Sequence, residues 1–506
     1  MRTATLSRHF AAAAMLVAAG PLAAEPAPSP AADVAFLDAL TWGATPSAFA
    51  HLRREGRARW LQEQLHPPAQ TRLPPSAQAQ IDALTPPGTL LERAQAFDAQ
   101  AKAAKALPDP EASKAAQKTF QAALNDAARN AASSWVLRAL YSPDQLRERL
   151  TWFWYNRFNV HQGKANLRAA VGDYVDTAIR PHVLGRFRDL LMASLRHPAM
   201  LHYLDNDANA AGHINENYAR EIMELHTMGV GSGYSQADVE ALARILTGIG
   251  IDLKPEPPKL RPEHAADFIR DGLFEFNPNR HDYGDKTFLG VRIQGRGWPE
   301  VEEAVDLIVR HPATATTVSR ALATYVTGQA PDDALVARLA ATFARTDGDI
   351  AAVTEALVRE PVFAASQGGA FKDPVRYVFS ALRMAYDEKV ILNTAPVLGW
   401  LNRLGEGLFN RSTPDGYALD AAAWSGPGQL TTRFEIARQI GSGPAGLFKP
   451  ADPDRPEEPA FPVLANGLYF STLAGTLGAP TRGALAQAVS PQDWNTLYLA
   501  SPEFMR

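Results

Sequence analysis

Apolar residues recur at intervals of three and four along most of this chain, which predicts one helix after another. Ala35 to Leu65 alternates apolar and polar residues at that spacing. Pro67 to Pro87 is proline-rich and reads as a loop. Leu91 to Leu146 is rich in Ala, Lys, Gln, Arg and Glu, good helix formers, and is interrupted by Pro108 and Pro110. Residues 88–146 are therefore expected to form a helical arm. Ser142-Pro143-Asp144 announces a helix over Gln145–Tyr155, and Ser235-Gln236-Ala237-Asp238 another over Val239–Thr247. His197-Pro198-Ala199 and His311-Pro312-Ala313 mark two more helix starts, with Pro in the first turn. Short amphipathic helices fill Glu300 to Ser380, with turns at Pro414–Tyr417 and Ser425–Gly428.

One region departs from the helical period. Leu273–Phe276 and Lys286–Ile293 have strand character and flank the polar stretch Asn277–Asp285, which predicts a β-hairpin with a long loop. The expected fold class is all-α, a multi-helix single body with an N-terminal helical arm and one small β-hairpin. Residues 35–440 form the body, and 441–506 form a Pro-rich and helical tail.

The first residues read differently. Arg2 and Arg8 precede the apolar run Phe10–Ala19, and small residues follow at Ala23 and Ala24. This is the pattern of a secretory signal peptide over residues 1–24, with a flexible Pro/Ala lead-in over 25–34. The run is too short to span a bilayer, and no later segment is apolar for long enough. The expected location is the periplasm or the outside of a Gram-negative cell. The chain has no cysteine, so its core must hold it without disulfides. The net charge of −4 becomes more negative once a leader carrying two arginines is removed. That mild acidity argues against nucleic acid or an anionic membrane as the main partner.

Candidate chemistry is densest at Asn215–Gly229. Read as one helix, it places Glu216, Asn217, Arg220, Glu221 and Glu224 on one arc and Tyr218, Ile222, Met223 and Leu225 on the other. Asn215 suits the N-cap and Gly229 the C-terminal turn. The carboxylates Glu221 and Glu224 are candidate bases and Arg220 a candidate anion clamp, with Asn215 and Asn217 as binding groups. The plainer reading is a solvated face whose Glu216–Arg220 and Arg220–Glu224 pairs each add about 0.3–0.5 kcal/mol. In the loop before it, Asp205, Asp207, Asn209 and Glu216 take the first, third, fifth and twelfth places of a calcium loop. Ala210 stands where such a loop needs Gly, which weakens the match. Asp205 and Glu216 are carried as weak ligands for a divalent metal ion, and Asn206 as a binding residue. His281-Asp282 could orient an imidazole for proton transfer. Trp152-Phe153-Trp154-Tyr155 could line a ligand cleft through Trp152, while Trp154 and Phe158, a turn apart, read as core. His226 reads as a core histidine. The chain has no G-x-S-x-G, Walker A, H-E-x-x-H or C-x-x-C-H motif.

Leu40–Pro46, Glu148–Asn156, His197–Leu201, Tyr203–Asn206, Asn215–Val230, Gly233–Val239, His281–Thr287, His311–Ala315 and Pro414–Tyr417 together resemble the bacterial family catalogued as domain of unknown function 1800. The resemblance implies an exported, mainly helical protein without an assigned activity. It also implies a neighbour: such proteins are often encoded beside an exported protein resembling sulfatases and alkaline phosphatases. Asn156-Arg157-Phe158 departs from the family's usual Asn-His-Phe. Two functions stay open. One is a periplasmic enzyme whose polar, metal-binding cleft joins the Asn215–Glu224 face to His281-Asp282. The other is a non-catalytic binding or assembly factor for a secreted partner.

Overall fold

The computed structural model describes residues 28–450, 452 and 454–506, so the expected leader lies outside the described residues. Helices build a single body, and two small antiparallel sheets sit within it. Among the described residues no helix is long and apolar enough to cross a membrane.

The expected lead-in is helical from Pro30 onward. Ser29 accepts the Ala32 amide at 3.2 Å and Pro30 opens the first turn, so capping overrides the Pro/Ala composition. Likewise Pro75–Leu84 is a helix within the stretch read as a loop. Pro75 again stands in the first turn, and Ala77 and Ile81, one turn apart, are buried.

The arm forms as its composition predicts, from helices Leu90–Ala106 and Pro110–Tyr141. Thr89 and Glu92 make a capping box at the first, and Asp109 caps the second ahead of Pro110. Phe97 meets Phe120 edge-on across the pair. The second helix then runs into the body, where Ala132–Leu140 is almost wholly buried.

The Gln145–Arg157 helix is the centre of the body, with every residue from Thr151 to Asn156 buried. Arg149 on this helix is 1% exposed. Its Nη1 donates to the carbonyls of Asp38, Ala39 and Thr41, closing the C-terminal end of the Pro30–Leu40 helix. Burial, and then Arg376 beside it, pull its pKa down to about 10. Arg376 also reaches the Asp38 carbonyl, and Arg383 reaches the carbonyls of Gly43 and Leu140. Gly43 sits at φ +120°, and a Cβ there would stand 2.6 Å from the Ser380 Cβ. The Thr41–Thr45 segment is thus held by arginines from beneath and by close backbone contact from above. Arg149→Met should cost about 3 kcal/mol, because three buried carbonyls lose a donor at once. Urea unfolding would check this, and a loss under about 1 kcal/mol would mean that the carbonyls find other donors.

The strands do not pair as one hairpin. Phe274–Phe276 (β3) lies between Ile249–Ile251 (β1) and Ile269–Asp271 (β2), with Phe276 opposite both Ile249 and Ile269. Lys286–Phe288 (β4) and Val291–Ile293 (β5) form a separate hairpin, closed by Leu289 and Gly290. The tail packs onto the body: Lys372 Nζ donates to the Phe504 carbonyl at 2.7 Å, and Phe504 and Met505 are buried.

Candidate functional site

The Asn215–Gly229 segment is not a uniform α-helix. Asn217–Glu221 is α-helical and Ile222–His226 is π-helical, after which the Gly229 amide reaches back to the Met223 carbonyl. Gly229 has φ +93°, in keeping with its place at the end of the helix. Asn215 lies just outside the helix and accepts the Asn217 amide at 3.0 Å.

The asparagines of this region hold backbone carbonyls, two in the loop itself and two in the distant Ala243–Ile249 segment. Asn206 Nδ2 donates to the Ile249 carbonyl, Asn209 Nδ2 to Ala243, Asn215 Nδ2 to Asp205 and Asn217 Nδ2 to Leu204. Asn209 Oδ1 accepts the Asn215 amide. These amides satisfy main-chain groups that a bent loop would otherwise bury unpaired. The oxygens spaced like a calcium loop are similarly engaged. Asp205 pairs with Lys164 at 2.6 Å, Asp207 with His202 at 2.6 Å, and Glu216 with Arg220 at 2.9 Å. Among the described residues no three His, Asp or Glu side chains are grouped to hold a metal ion. The donor set at Asp205 and Glu216 therefore does not fit a divalent cation.

On the exposed arc, Arg220 bridges Glu216 and, at 3.5 Å, Glu224. Glu221 is different. It is half-buried and makes no side-chain hydrogen bond with any described residue. Burial raises its pKa, Glu224 and Asp415 add to the effect, and Arg220 opposes it. Tyr203 faces the same spot, its own pKa pushed up to about 12 by burial and by Glu221 and Asp415.

His281 does not join this face. Its side chain is 0% exposed, with Nε2 2.7 Å from Glu300 and Nδ1 2.8 Å from the Thr247 carbonyl. Lys286 closes the group from the other side, 2.6 Å from Glu300. Burial would raise the Glu300 pKa, but the hydrogen bonds from His281 and Lys286 hold it below its ordinary value. Asp282 is paired with Arg244 at 2.7 Å, and although burial opposes it, that pair keeps its pKa low. The cleft expected between His281-Asp282 and the helix face is thus corrected to a closed ionic triad, because the imidazole is sealed from solvent. His226 is buried as expected, yet its Nε2 has no hydrogen-bond partner among the described residues, and burial and Arg157 pull its pKa down to about 3. Arg157 turns its guanidinium to the His226 and Thr227 carbonyls, tying the central helix to the end of the π-helical turn.

Trp152 leads to a second cluster. It packs on Trp135 at 5.0 Å and stacks on Tyr155 with an interplanar angle of 13°, and it helps line a recess of about 20 Å³, room for one water. Asn156, Asp373, Arg376, Glu406 and Trp424 share this recess. Asp373 and Glu406 meet at the start of the Pro374–Tyr386 helix. Asp373 accepts the Arg376 amide at 2.7 Å and Glu406 the Val375 amide at 3.1 Å. Both carboxyls thus cap one helix. Glu406 is 2% exposed, and burial and then Asp373 push its pKa well above the carboxylate range. The Val375 amide, the Trp152 indole and Arg433 offset only part of this. Burial and the neighbouring Asp373 charge thus favour the neutral form of Glu406.

The turn at Arg411–Tyr417 separates this recess from Glu221. Asn156 binds both the amide and the carbonyl of Tyr417, at 2.6 and 2.8 Å. Asn159 holds the carbonyls of Arg411 and Thr413, and Tyr203 that of Ser412. Gly416 has φ +72°, and a Cβ there would lie 2.1 Å from the Asn156 carbonyl. Gly416→Ala should detach the turn and cost at least about 2 kcal/mol, through strain and lost buried hydrogen bonds. Thermal unfolding would check it, and an unchanged midpoint would mean the turn tolerates the shift.

Sequence reasoning missed Glu406, Asp373 and Arg376. Asp373-Pro374 is a readable helix start, but nothing local marks Glu406, which stands between two glycines and meets Asp373 only in the fold.

The chain belongs to the family described as protein of unknown function DUF1800, whose profile matches residues 35–506. Nothing matches among curated proteins or among solved structures.

Proposed function

We propose that the protein is an exported, periplasmic enzyme that transfers protons with its own carboxyl groups. The observation that supports this is the Glu406–Asp373 pair beneath Trp152. A neutral carboxyl beside a carboxylate supplies an acid and a base from two side chains of the same type. Glu406 is the proton donor and Asp373 the acceptor, and Arg376 lines the same recess with its guanidinium turned to the Asp38 carbonyl. Trp152 forms a wall of the recess. Glu221 lies near Asp415 of the same turn, and with its neighbours Arg220 and Glu224 it is assigned to substrate recognition. The leader pattern of residues 1–24 supports export. No metal ligand set is needed for this chemistry.

The test is the protonation state itself. Isotope-edited infrared spectra at neutral pH should show a neutral carboxyl band that disappears in Glu406→Gln. A spectrum with only ionised carboxylates would sink the reading.

One observation favours a binding role instead. Phe461 and Phe470 in the tail are 69% and 70% exposed, with Val463 between them also exposed. Exposed apolar clusters mark interaction surfaces. A secreted sulfatase- or phosphatase-like partner would then co-purify with the protein, and Phe470→Ser would release it.

A further inference from the structure

A larger cavity lies away from the carboxyl pair. It is an open groove of about 1030 Å³ bordered by the helices Pro46–Glu55 and Arg57–Leu65, the proline-rich loop after them and the end of the Pro110–Tyr141 helix. Trp60, Leu73, Leu140 and the ring of Tyr141 give it apolar walls. Most of the polar groups along it already have partners. Gln64 and Gln145 donate to the carbonyls of Pro143 and Ala139 and accept the amides of Leu146 and Trp42. Among the acids, Asp387 accepts the amide and hydroxyl of Ser47, Asp144 pairs with Arg147, and Glu63 with Arg59 and His51. Arg54 pairs with Glu55 at 3.0 Å. What is left over is mainly donors. Arg383 is 7% exposed, and its Nε and Nη1 go to the carbonyls of Gly43 and Leu140. Its Nη2 makes no hydrogen bond with a described residue, yet it is not sealed in like the orphaned nitrogens of Arg149 and Arg433. Arg72 and His66 line the same groove, are exposed, and make no side-chain hydrogen bond with a described residue. Against these stands one acid without a partner, the exposed Glu388.

We infer that this groove binds an extended acidic peptide, with one carboxylate on the Arg383 guanidinium and further acceptors on Arg72 and His66. A guanidinium nine-tenths buried, with an N–H left over, is a strong site for a carboxylate. Burial pulls the Arg383 pKa down to about 10, and Asp387 opposes this only in part, so the charge is under-compensated where it lies. Since Asp387 supplies some of the balance, a singly charged carboxylate suits the site better than a dianion. The apolar walls take the side chains between the acids. A cavity this large and open has room for several residues, where one small acid would leave most of the apolar wall uncovered. None of these residues lines the recess beneath Trp152, so the groove can be filled whether or not the carboxyl pair is catalytic.

The test is fluorescence anisotropy of the purified protein with a labelled peptide, Leu-Glu-Leu-Asp-Leu, blocked at both ends. Its counterpart has Gln and Asn in place of the two acids. The acidic peptide should bind, and the neutral one at least about tenfold more weakly. Ala50 is exposed on the groove wall, so Ala50→Glu should weaken the acidic peptide about tenfold without changing the melting temperature. Arg72→Glu should do the same. Arg383→Gln should abolish binding, and because Arg383 also holds two carbonyls, the two surface variants keep the test valid should that variant unfold. Equal binding of the two peptides would overturn the inference, since charge would then select nothing. Binding indifferent to Ala50→Glu and Arg72→Glu would place the peptide elsewhere and overturn it too. No binding at millimolar concentration would end it, and so would displacement by laurate at concentrations below the peptide's own Kd, which would make the groove a site for acyl anions.

Discussion

Glu300→Gln should lower the stability of the fold by about 3–5 kcal/mol, a loss seldom reached by a single surface change. Glu300 is the only acid of a sealed triad, with His281 on one oxygen and Lys286 on the other. An amide can accept from one of them but turns its own N–H groups toward the other. At least one buried cation or donor then loses its partner, and the cost of burying it is no longer offset. Glu300 also receives the amides of Arg296 and Gly297 at 3.0 Å, so the start of the Trp298–Arg310 helix would loosen too. Lys286→Met added to Glu300→Gln should cost less than the two separate losses together, because the stranded ammonium is gone. The effect also has a pH signature. The folded pKa of Glu300 is lowered, so its contribution is present above the ordinary carboxyl range and is lost as pH falls through the folded value. Wild type should therefore approach the variant in stability under acid. Urea unfolding at several pH values would measure this, and a gap that stays constant down to strong acid would contradict it.

The parts of the fold that were legible in the sequence are those whose signals are local. Pro110 and Asp109 start the long arm helix where they stand, and Trp154 and Phe158, both 0% exposed, are core as their spacing predicts. The Arg220 pairs were legible for the same reason, since i,i+4 geometry follows from the helix alone. What was hidden depends on partners far along the chain. Phe274–Phe276 looked like half of a hairpin with Lys286–Ile293, yet three-residue strands carry too little alternation to name a partner, and β1 and β2 take it instead. The calcium-like spacing has a simpler source. Asn and Asp in a bent loop bind nearby backbone, as Asn209 and Asn215 do here through their side-chain oxygens, while the Asn206 and Asn209 amides tie the loop to Ile249 and Ala243. Trp152 was marked by aromatic density, but the acid it faces was not. Glu406 becomes chemical only because the fold buries it beside Asp373.

Glu406→Gln should abolish turnover, lowering kcat/KM by about 10²–10⁴-fold, while leaving the fold intact. The reason lies in what the amide imitates. Gln can still accept the Val375 amide and is neutral, as the protonated acid is, but it has no proton to release. If Glu406 only caps the Pro374–Tyr386 helix, the amide keeps the cap and activity survives. The stability data sharpen the distinction. The folded pKa of Glu406 is raised, so its contribution to stability is full below the ordinary carboxyl value and is lost as pH rises through the folded value. The variant cannot ionise, so it should match wild type in acid and exceed it in alkali. An acid catalyst also predicts that wild-type activity falls as pH rises through the same value. Turnover and stability should therefore decline together in wild type, whereas the variant should be inactive and stable throughout. A variant that is inactive because it unfolds would show the opposite order in stability, and would remove Glu406 from the chemistry.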